Sequence, residues 1–405
     1  MLILWLLILN IHPSYSLTLD EALKLSLKNE DNQIANANVE QADHNKSLAL
    51  SAALPRITVS GLHLQQQDAA IFQSGFGQRY QRTLSIGLVQ PLFSGLKEFK
   101  TMDYQNLSIE NSKLQAKLKK WETYLTVVQL FFSVLYLEDE KLNAEKLRDL
   151  YEDRVSFLRG RVNIGRSRNS ELYGAEAEFN KAKIELQALE VEIHRQKREL
   201  ARIISSEENL TFNYAEIKLE DIADYLFKLE EHPEILSREK QLQMADKNVS
   251  IVKSDYWPTF NLETNYYIRR GGSLRDVEWD VGIRLTYPIF ESGKTNQELN
   301  IALEEKNKAT LEYQKLKKIL TNNFTLLYEQ IKYGVNQLEL LETTVKLSKK
   351  KLTELQNEYK LSLVTNLEVL QALNEYILAK KNLNKTKHEN YTNFHSLLIL
   401  IGEQE

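Results

Sequence analysis

The sequence predicts a mainly helical protein that also contributes to a transmembrane β-barrel, with long antiparallel coiled-coil helical hairpins and four strands per protomer. Three observations carry that prediction. The chain repeats itself, each half holds a very long run of helix-forming residues free of proline, and each half holds a pair of strands with one apolar and one polar face.

The repeat is read from matching segments. Ala53-Leu54-Pro55-Arg56-Ile57-Thr58-Val59 recurs in form as Tyr256-Trp257-Pro258-Thr259-Phe260-Asn261-Leu262, and Ala42 in the helix before it falls on Ala245. Gln90-Pro91-Leu92-Phe93-Ser94 matches Tyr287-Pro288-Ile289-Phe290-Glu291. The same spacing later sets Asn169-Ser170-Glu171-Leu172 on Asn366-Leu367-Glu368-Val369, and Phe179 on Tyr376. Each half therefore runs helix, proline, strand, loop, strand, proline, long helix, short break, helix.

In chain order, Met1 to Leu9 is an apolar run followed by Ser14-Tyr15-Ser16, small residues at the −3 and −1 positions of a cleavage site. Residues 1–16 are read as a secretory signal, although no Lys or Arg precedes the run, as happens when a start codon is misassigned. A membrane anchor is the alternative reading of this run. The first repeat spans 17–204, a connector with short elements 205–230, and the second repeat 231–405.

Strands are clearest in the second half. Phe260, Leu262, Thr264, Tyr266 and Ile268 alternate with Thr259, Asn261, Glu263, Asn265 and Tyr267, and Trp279, Val281, Ile283, Leu285 and Tyr287 alternate with Asp280, Gly282, Arg284 and Thr286. Arg269-Arg270-Gly271-Gly272-Ser273 supplies the turn between them. In the first half Ile57 and Val59, then Leu84, Ile86 and Leu88, alternate with small or polar residues across a longer loop, Gln67 to Arg79. Trp257, Trp279, Tyr256, Tyr266 and Tyr287 suit the aromatic girdles of a barrel. A two-sided sheet in a soluble domain gives the same alternation. Four strands do not close a barrel, and open edges are not tolerated in lipid, so the barrel reading requires an oligomer.

The long helix from Ser94 to Gly160 covers roughly 67 residues, about 100 Å at the rise of an α-helix. Its counterpart carries a seam at Tyr313, Leu316, Leu320, Phe324, Leu327, Ile331, Val335 and Leu338, in steps of three and four. Polar breaks at Asn163 to Asn169 and Leu361 to Asn366 reverse each into a second helix. Leu125 to Leu137 is apolar but interrupted by Gln129 and Ser133, and reads as a packed helix face. A coiled-coil scaffold without a membrane role explains these helices but neither the leader nor the strands.

Composition excludes several classes. With 27% charged residues and a mean hydropathy of −0.42 the chain is no bundle of membrane-spanning helices. It has no cysteine, hence no disulfide framework. A net charge of −4, from 52 basic and 56 acidic residues, leaves no footprint for nucleic acid.

From Leu17-Thr18-Leu19-Asp20-Glu21-Ala22 to Leu397-Leu398-Ile399-Leu400-Ile401-Gly402 the chain resembles the TolC family of outer-membrane efflux and type I secretion channels. The most specific elements are Gln90-Pro91-Leu92-Phe93-Ser94-Gly95 and Tyr287-Pro288-Ile289-Phe290-Glu291-Ser292-Gly293, similar to the family's strand-to-helix junctions. Pro55, Pro91, Gly95, Pro258, Pro288 and Gly293 are the junction residues on this reading. The resemblance implies a homotrimer in the outer membrane and its lipid, with a twelve-stranded barrel continued by a helical periplasmic tunnel. It also implies a gate at the helical tips that opens when a periplasmic adaptor and an inner-membrane pump dock.

Leu367-Glu368-Val369-Leu370 resembles the segment that sets acidic side chains at the tunnel entrance, so Glu368 is expected to form a ring of three carboxylates. The family's second acidic position falls on Gln371. Tyr359 and Glu171 fall on positions that help hold the entrance shut, while the companion arginine is replaced by Val364. Arg161, Arg166 and Arg168 crowd the first tip, where an adaptor would meet them. For Glu368 a helix-start carboxylate favoured by the dipole is the competing reading, and for Tyr359 and Glu171 ordinary packing. The sequence has no catalytic motif, and no cofactor or metal is expected. His388 and His395 read as surface or packing residues.

Overall fold

The computed structural model describes residues 16–65, 80–206, 211–212, 231–271, 274–361 and 363–402. The leader expected over 1–16 falls outside these residues except for Ser16, as do most of the connector, the loop Gln67 to Arg79 and the turn residues Gly272 and Ser273.

In chain order the elements are β1 (Ser16–Leu17), α1 (Leu19–Ser26), α2 (Glu30–Ser51), β2 (Arg56–Gln65), β3 (Tyr80–Phe93), α3 (Lys97–Asn163), α4 (Asn169–Ile204), β4 (Thr211–Phe212), α5 (Pro233–Val252), β5 (Thr259–Arg269), β6 (Trp279–Thr286), α6 (Lys294–Lys360) and α7 (Asn366–Ile401). A 3₁₀ turn, Lys253–Tyr256, joins α5 to β5. The order helix, strand, strand, helix, helix occurs twice, with 67 residues in both α3 and α6 and 36 in both α4 and α7. Runs rich in Lys, Glu, Leu and Gln without an interior proline make such lengths possible. Among the described residues no helix is long and apolar enough to cross a membrane.

The chain divides into two compact units. One comprises Ile34–Lys117 and Pro233–Lys318 and contains the four-stranded antiparallel sheet, in order β2-β3-β5-β6. The pairings Ile57↔Leu88, Val59↔Ile86, Ile86↔Tyr266, Tyr266↔Trp279 and Leu262↔Ile283 align the apolar residues of all four strands on one face. That face is bare: Ile57, Val59, Ile86, Tyr266, Trp279, Val281, Ile283 and Leu285 are all exposed. Strands β2 and β6 are open edges.

Both strand-to-helix junctions turn through two consecutive residues of positive φ, Gly95 with Leu96 and Ser292 with Gly293. With Pro91 set on Pro288, the glycine holds the first left-handed position in one half and the second in the other. Pro91 lies inside β3 rather than at its end, opposite Asn261, where the pairing with β5 slips between Pro91 and Phe93. A bulge tolerates the missing N–H. Its counterpart Pro288 is outside β6, because β6 has no strand beyond it to hold residues 287–290, and Ile289 and Phe290 are the most exposed apolar side chains described.

The other unit comprises Met1–Gln33, Leu118–His232 and Ile319–Glu405. Its main core joins Trp121, Tyr124, Val127, Val128, Phe131 and Phe132 of α3 to Leu200, Ile203 and Ile204 of α4, to Leu19, Ala22 and Leu23 of α1, and to Tyr391 and Ile399 of α7. The apolar stretch Leu125 to Leu137 is thus a packed face. Phe324 and Ile331 of the α6 seam pack with Phe394 and Leu397 of α7, whereas Val335 is exposed because Gly334 takes the place against α7. Strand β1 pairs in parallel with β4, tying residues 16–17 to the connector. The sequence offered no signal for that pair, since two residues carry no period.

Candidate functional site

The helix ends at the two hairpin breaks hold most of the predicted site residues. Helix α3 stops at a left-handed glycine, Gly165, whose N–H donates to the Val162 carbonyl at 2.9 Å while Arg166 N–H donates to that of Arg161 at 2.8 Å. This pair of bonds satisfies the last carbonyls of the helix and reverses the chain. Helix α4 then starts at Arg168, which makes no side-chain cap, and the Ser167 hydroxyl donates to the Glu171 carboxylate instead. Arg166 and Arg168 are exposed.

Helix α7 starts at a capping box. Thr365 N–H donates to Glu368 Oε2 at 2.6 Å and the Thr365 hydroxyl to the same oxygen at 2.7 Å, while Glu368 N–H donates back to Oγ1 at 3.4 Å. Bonds from the Thr365 backbone and hydroxyl hold the Glu368 carboxyl below the usual carboxylate range. Glu368 is therefore an ionised, exposed group fixed in place by the helix start. Thr18 and Glu21 form the same device on α1. Gln371, one turn on, is exposed beside it, as is Leu367, whereas Val369, Ala372 and Leu373 turn inward. Thr365→Ala is expected to cost about 1 kcal/mol and to raise amide exchange in the first turn of α7 while leaving the Trp121 core protected.

Tyr359 sits near the end of α6 in a cluster of aromatics and arginines. Its ring tilts against Phe157 of α3, centroids 5.9 Å apart. The guanidinium carbons of Arg154 and Arg161 lie 5.4 and 5.6 Å from its centroid, and Arg161 also covers Phe157 at 5.6 Å. Stacked guanidinium groups over an electron-rich ring attract it electrostatically, more strongly where water is excluded. Burial disfavours the Arg154 charge; Tyr359, which also hydrogen-bonds it, and Glu171 act the other way. Val364, at the position of the absent arginine, packs in the apolar cluster of Tyr151, Ala182, Leu352, Val369, Ala372 and Leu373. The structure thus brings Tyr359 together with Arg161 and places Arg154 near Glu171, and Arg154 and Phe157 are members that the sequence reading missed. Their spacing to Arg161, steps of three and four on one helix, was the available signal.

On the sheet, the face opposite the apolar one carries a polar network across β5 and β6. Arg284 grips Glu263 with two bonds of 2.6 and 2.8 Å. Asp280 accepts from Asn265 and from the Tyr267 hydroxyl, both at 2.9 Å, and Arg270 lies 3.6 Å from it, stacked on the Tyr267 ring at 3.9 Å. Pro55 and Pro258 precede β2 and β5. At the α3 junction Gly95 sits against the 3₁₀ turn, where Lys97 pairs with Asp255 at 2.7 Å and Lys100 donates to Ser254 at 2.8 Å.

His388 Nε2 lies 2.9 Å from Asp139 Oδ2, and His395 stacks on Phe132 at 5.4 Å. Both are buried, not on the surface. Among the described residues no group of three or more His, Cys, Asp or Glu side chains is placed to hold a metal ion.

Residues 24–206 and 228–403 match the sequence profile of a family described as outer membrane efflux protein. A search of curated proteins finds no match. Among solved structures, the outer membrane protein VceC of Vibrio cholerae is similar with a TM-score of 0.84 at 15% identity, over 95% of this chain and 96% of that one. The CmeC outer membrane channel of Campylobacter jejuni gives 0.82 at 17% identity, over 95% and 85%. The open state of the MtrE outer membrane channel of Neisseria gonorrhoeae gives 0.76 at 16% identity, over 95% and 88%.

Proposed function

Because the chain belongs to the outer membrane efflux protein family, we propose that it is one protomer of a homotrimeric export duct, passing substrates from the periplasm to the exterior. The observation that carries this reading is the four-stranded sheet, with a bare apolar face, a polar network opposite and two unpaired edges. Three copies, β6 of one against β2 of the next, give a twelve-stranded barrel whose apolar face meets lipid and whose polar face lines the lumen. Closure also covers Ile289 and Phe290. The helices continue the duct into the periplasm, and their tips form its gate.

At that gate the Tyr359, Phe157, Arg154 and Arg161 cluster holds α6 to α3, and three copies of Glu368 make an anionic ring. The exposed tips, with Arg166 and Arg168, are the surface offered to a periplasmic adaptor working with an inner-membrane pump. Planar-bilayer recording and native mass measurement of detergent-extracted protein test the proposal: a trimer that conducts is expected, and a non-conducting monomer would sink it. Glu368→Gln is the sharper variant, because glutamine keeps the capping box while deleting the charge. It should lower cation preference and relieve block by divalent or polyvalent cations without altering assembly; unchanged selectivity and block would remove Glu368 from the gate.

A further inference from the structure

A small cleft between α3 and α7 gathers lysines that have no acid to answer them. It lies between Lys146, Leu147 and Leu150 of α3 and Tyr376, Ile377 and Lys380 of α7. Its volume is about 60 Å³, room for a compact group but far below the roughly 300 Å³ at which a drug-sized body is enclosed. Neighbouring lysines take partners: Lys141 pairs with Glu190 at 2.9 Å, Lys351 with Glu375 at 2.7 Å, and Lys381, which also lines the cleft, with Glu185 at 3.8 Å. Lys146 and Lys380, and Lys349 of α6, which is close enough to act on the Lys380 charge, make no ion pair or hydrogen bond among the described residues.

Lys380 is half-buried, while Lys146 and Lys349 stand at exposed positions. Burial first, then the charge of Lys146 and last that of Lys349, push the Lys380 amino group down from the ordinary lysine range, against the opposite pull of Glu140 and Asp139. Those two acids have other partners. Glu140, 7% exposed, accepts from Asn143 at 3.3 Å and from Asn384 at 3.2 Å, and Asp139 lies 2.9 Å from His388. Nor is the cluster a by-product of the repeat. The spacing that sets Phe179 on Tyr376 sets Lys183 on Lys380 but Thr343 on Lys146 and Glu152 on Lys349, and Lys183 stands over the Phe179 ring at 4.3 Å. One half keeps a single lysine with a partner where the other holds three without.

We propose that this cleft binds a compact oxyanion, a phosphate, sulfonate or carboxylate group either free or at the end of an organic molecule, with Lys146 and Lys380 as its ligands and Lys349 adding charge. An anion with several oxygens takes a charge-assisted hydrogen bond from each ammonium group and cancels the repulsion among them. Leu147, Leu150 and Ile377 beside the lysines give the apolar part of an organic anion a surface to lie on. Glu140 in the same lining opposes any anion, so the site needs more than one lysine, and losing one should empty it. All of these residues belong to one compact unit of a single chain, so the site does not rest on the trimer.

Trace acetylation with acetic anhydride reads the site, since only a neutral amine reacts and a bound anion both covers Lys380 and keeps it charged. The full chain in non-ionic detergent is labelled in a tertiary-amine buffer with chloride, inorganic phosphate or butyl phosphate at equal ionic strength, and each lysine is quantified by peptide mass spectrometry. Inorganic phosphate or butyl phosphate is expected to cut the labelling of Lys380 and Lys146 severalfold while leaving Lys183 unchanged. Lys146→Gln, at an exposed position that folding does not depend on, should abolish the protection of Lys380, whereas Lys183→Gln should not. Protection by inorganic phosphate assigns a site for the free oxyanion; protection by butyl phosphate alone assigns one for the oxyanion carried on an organic body. No protection beyond that in chloride, equal protection of Lys183, or protection that survives Lys146→Gln would overturn the proposal.

Discussion

Gly95→Ala should leave little folded protein, whereas Gly293→Ala should be tolerated, although both glycines sit at the same kind of junction. Each has a positive φ, +67° and +83°, which costs an L-residue about 1–2 kcal/mol. They differ in what surrounds them. A Cβ on Gly95 would stand 2.7 Å from the Ser254 carbonyl oxygen and 3.1 Å from its Cα, backbone that belongs to the 3₁₀ turn and whose residue is further fixed by the Lys100 bond to its hydroxyl; a Cβ on Gly293 meets nothing within 4 Å. The crowding adds about 1–3 kcal/mol, so Gly95→Ala should cost about 3 kcal/mol or more and Gly293→Ala about 1. Urea unfolding followed by tryptophan emission checks this, since Trp257 packs edge-on against Phe93 beside the α3 junction. Equal midpoints for the two variants would refute the close approach.

Gly334→Ala should be the second severe substitution, and a reversible one. The added Cβ would fall 1.8 Å from Oδ1 of Asn390 on α7, a side chain only 3% exposed and therefore without room to retreat. The expected cost is about 3 kcal/mol, the upper end for overpacking. Asn390→Ala removes the obstacle. Its Nδ2 has no hydrogen-bond partner among the described residues, so the single change should be mild, and the double variant should regain most of the loss. A double-mutant cycle that gives a coupling near zero would place the two helices farther apart than the structure has them.

Much of this fold was legible because its signals are long. Two runs of good helix formers, two breaks and two alternating strand pairs each extend over many residues, and their recurrence doubles the signal. Short or non-local features were not legible. The β1–β4 pair is two residues long, and the extension of β3 through Pro91 depends on β5 being its neighbour, which periodicity along one strand does not encode. At the tips, Tyr359 and Glu171 were found by resemblance, but the arginines that act on Tyr359 come from α3, and only packing reveals that. The exposed apolar residues Ile319, Leu326, Tyr333, Leu340 and Leu347 of α6 escaped because two apolar patterns share one helix. The seam at Phe324 and Ile331 satisfies the expected period, and the residues between its steps read as noise until burial separates the two faces.

The polar face of β5 and β6 bears on what such a conduit could discriminate. Glu263 is matched by Arg284, and Asp280 by Arg270, each acid beside its own base. A wall compensated in this way offers a passing molecule dipoles and hydrogen-bonding groups but little net field, so anions, cations and neutral solutes meet similar electrostatic terms there. In the proposed duct, sorting by sign would then fall to the start of α7, where the carboxylate of Glu368 has no basic residue bonded to it among the interactions described. If the proposed duct is right, its strand-lined part is permissive by construction of its side chains, and selection is expected where cargo meets Glu368 rather than along the sheet.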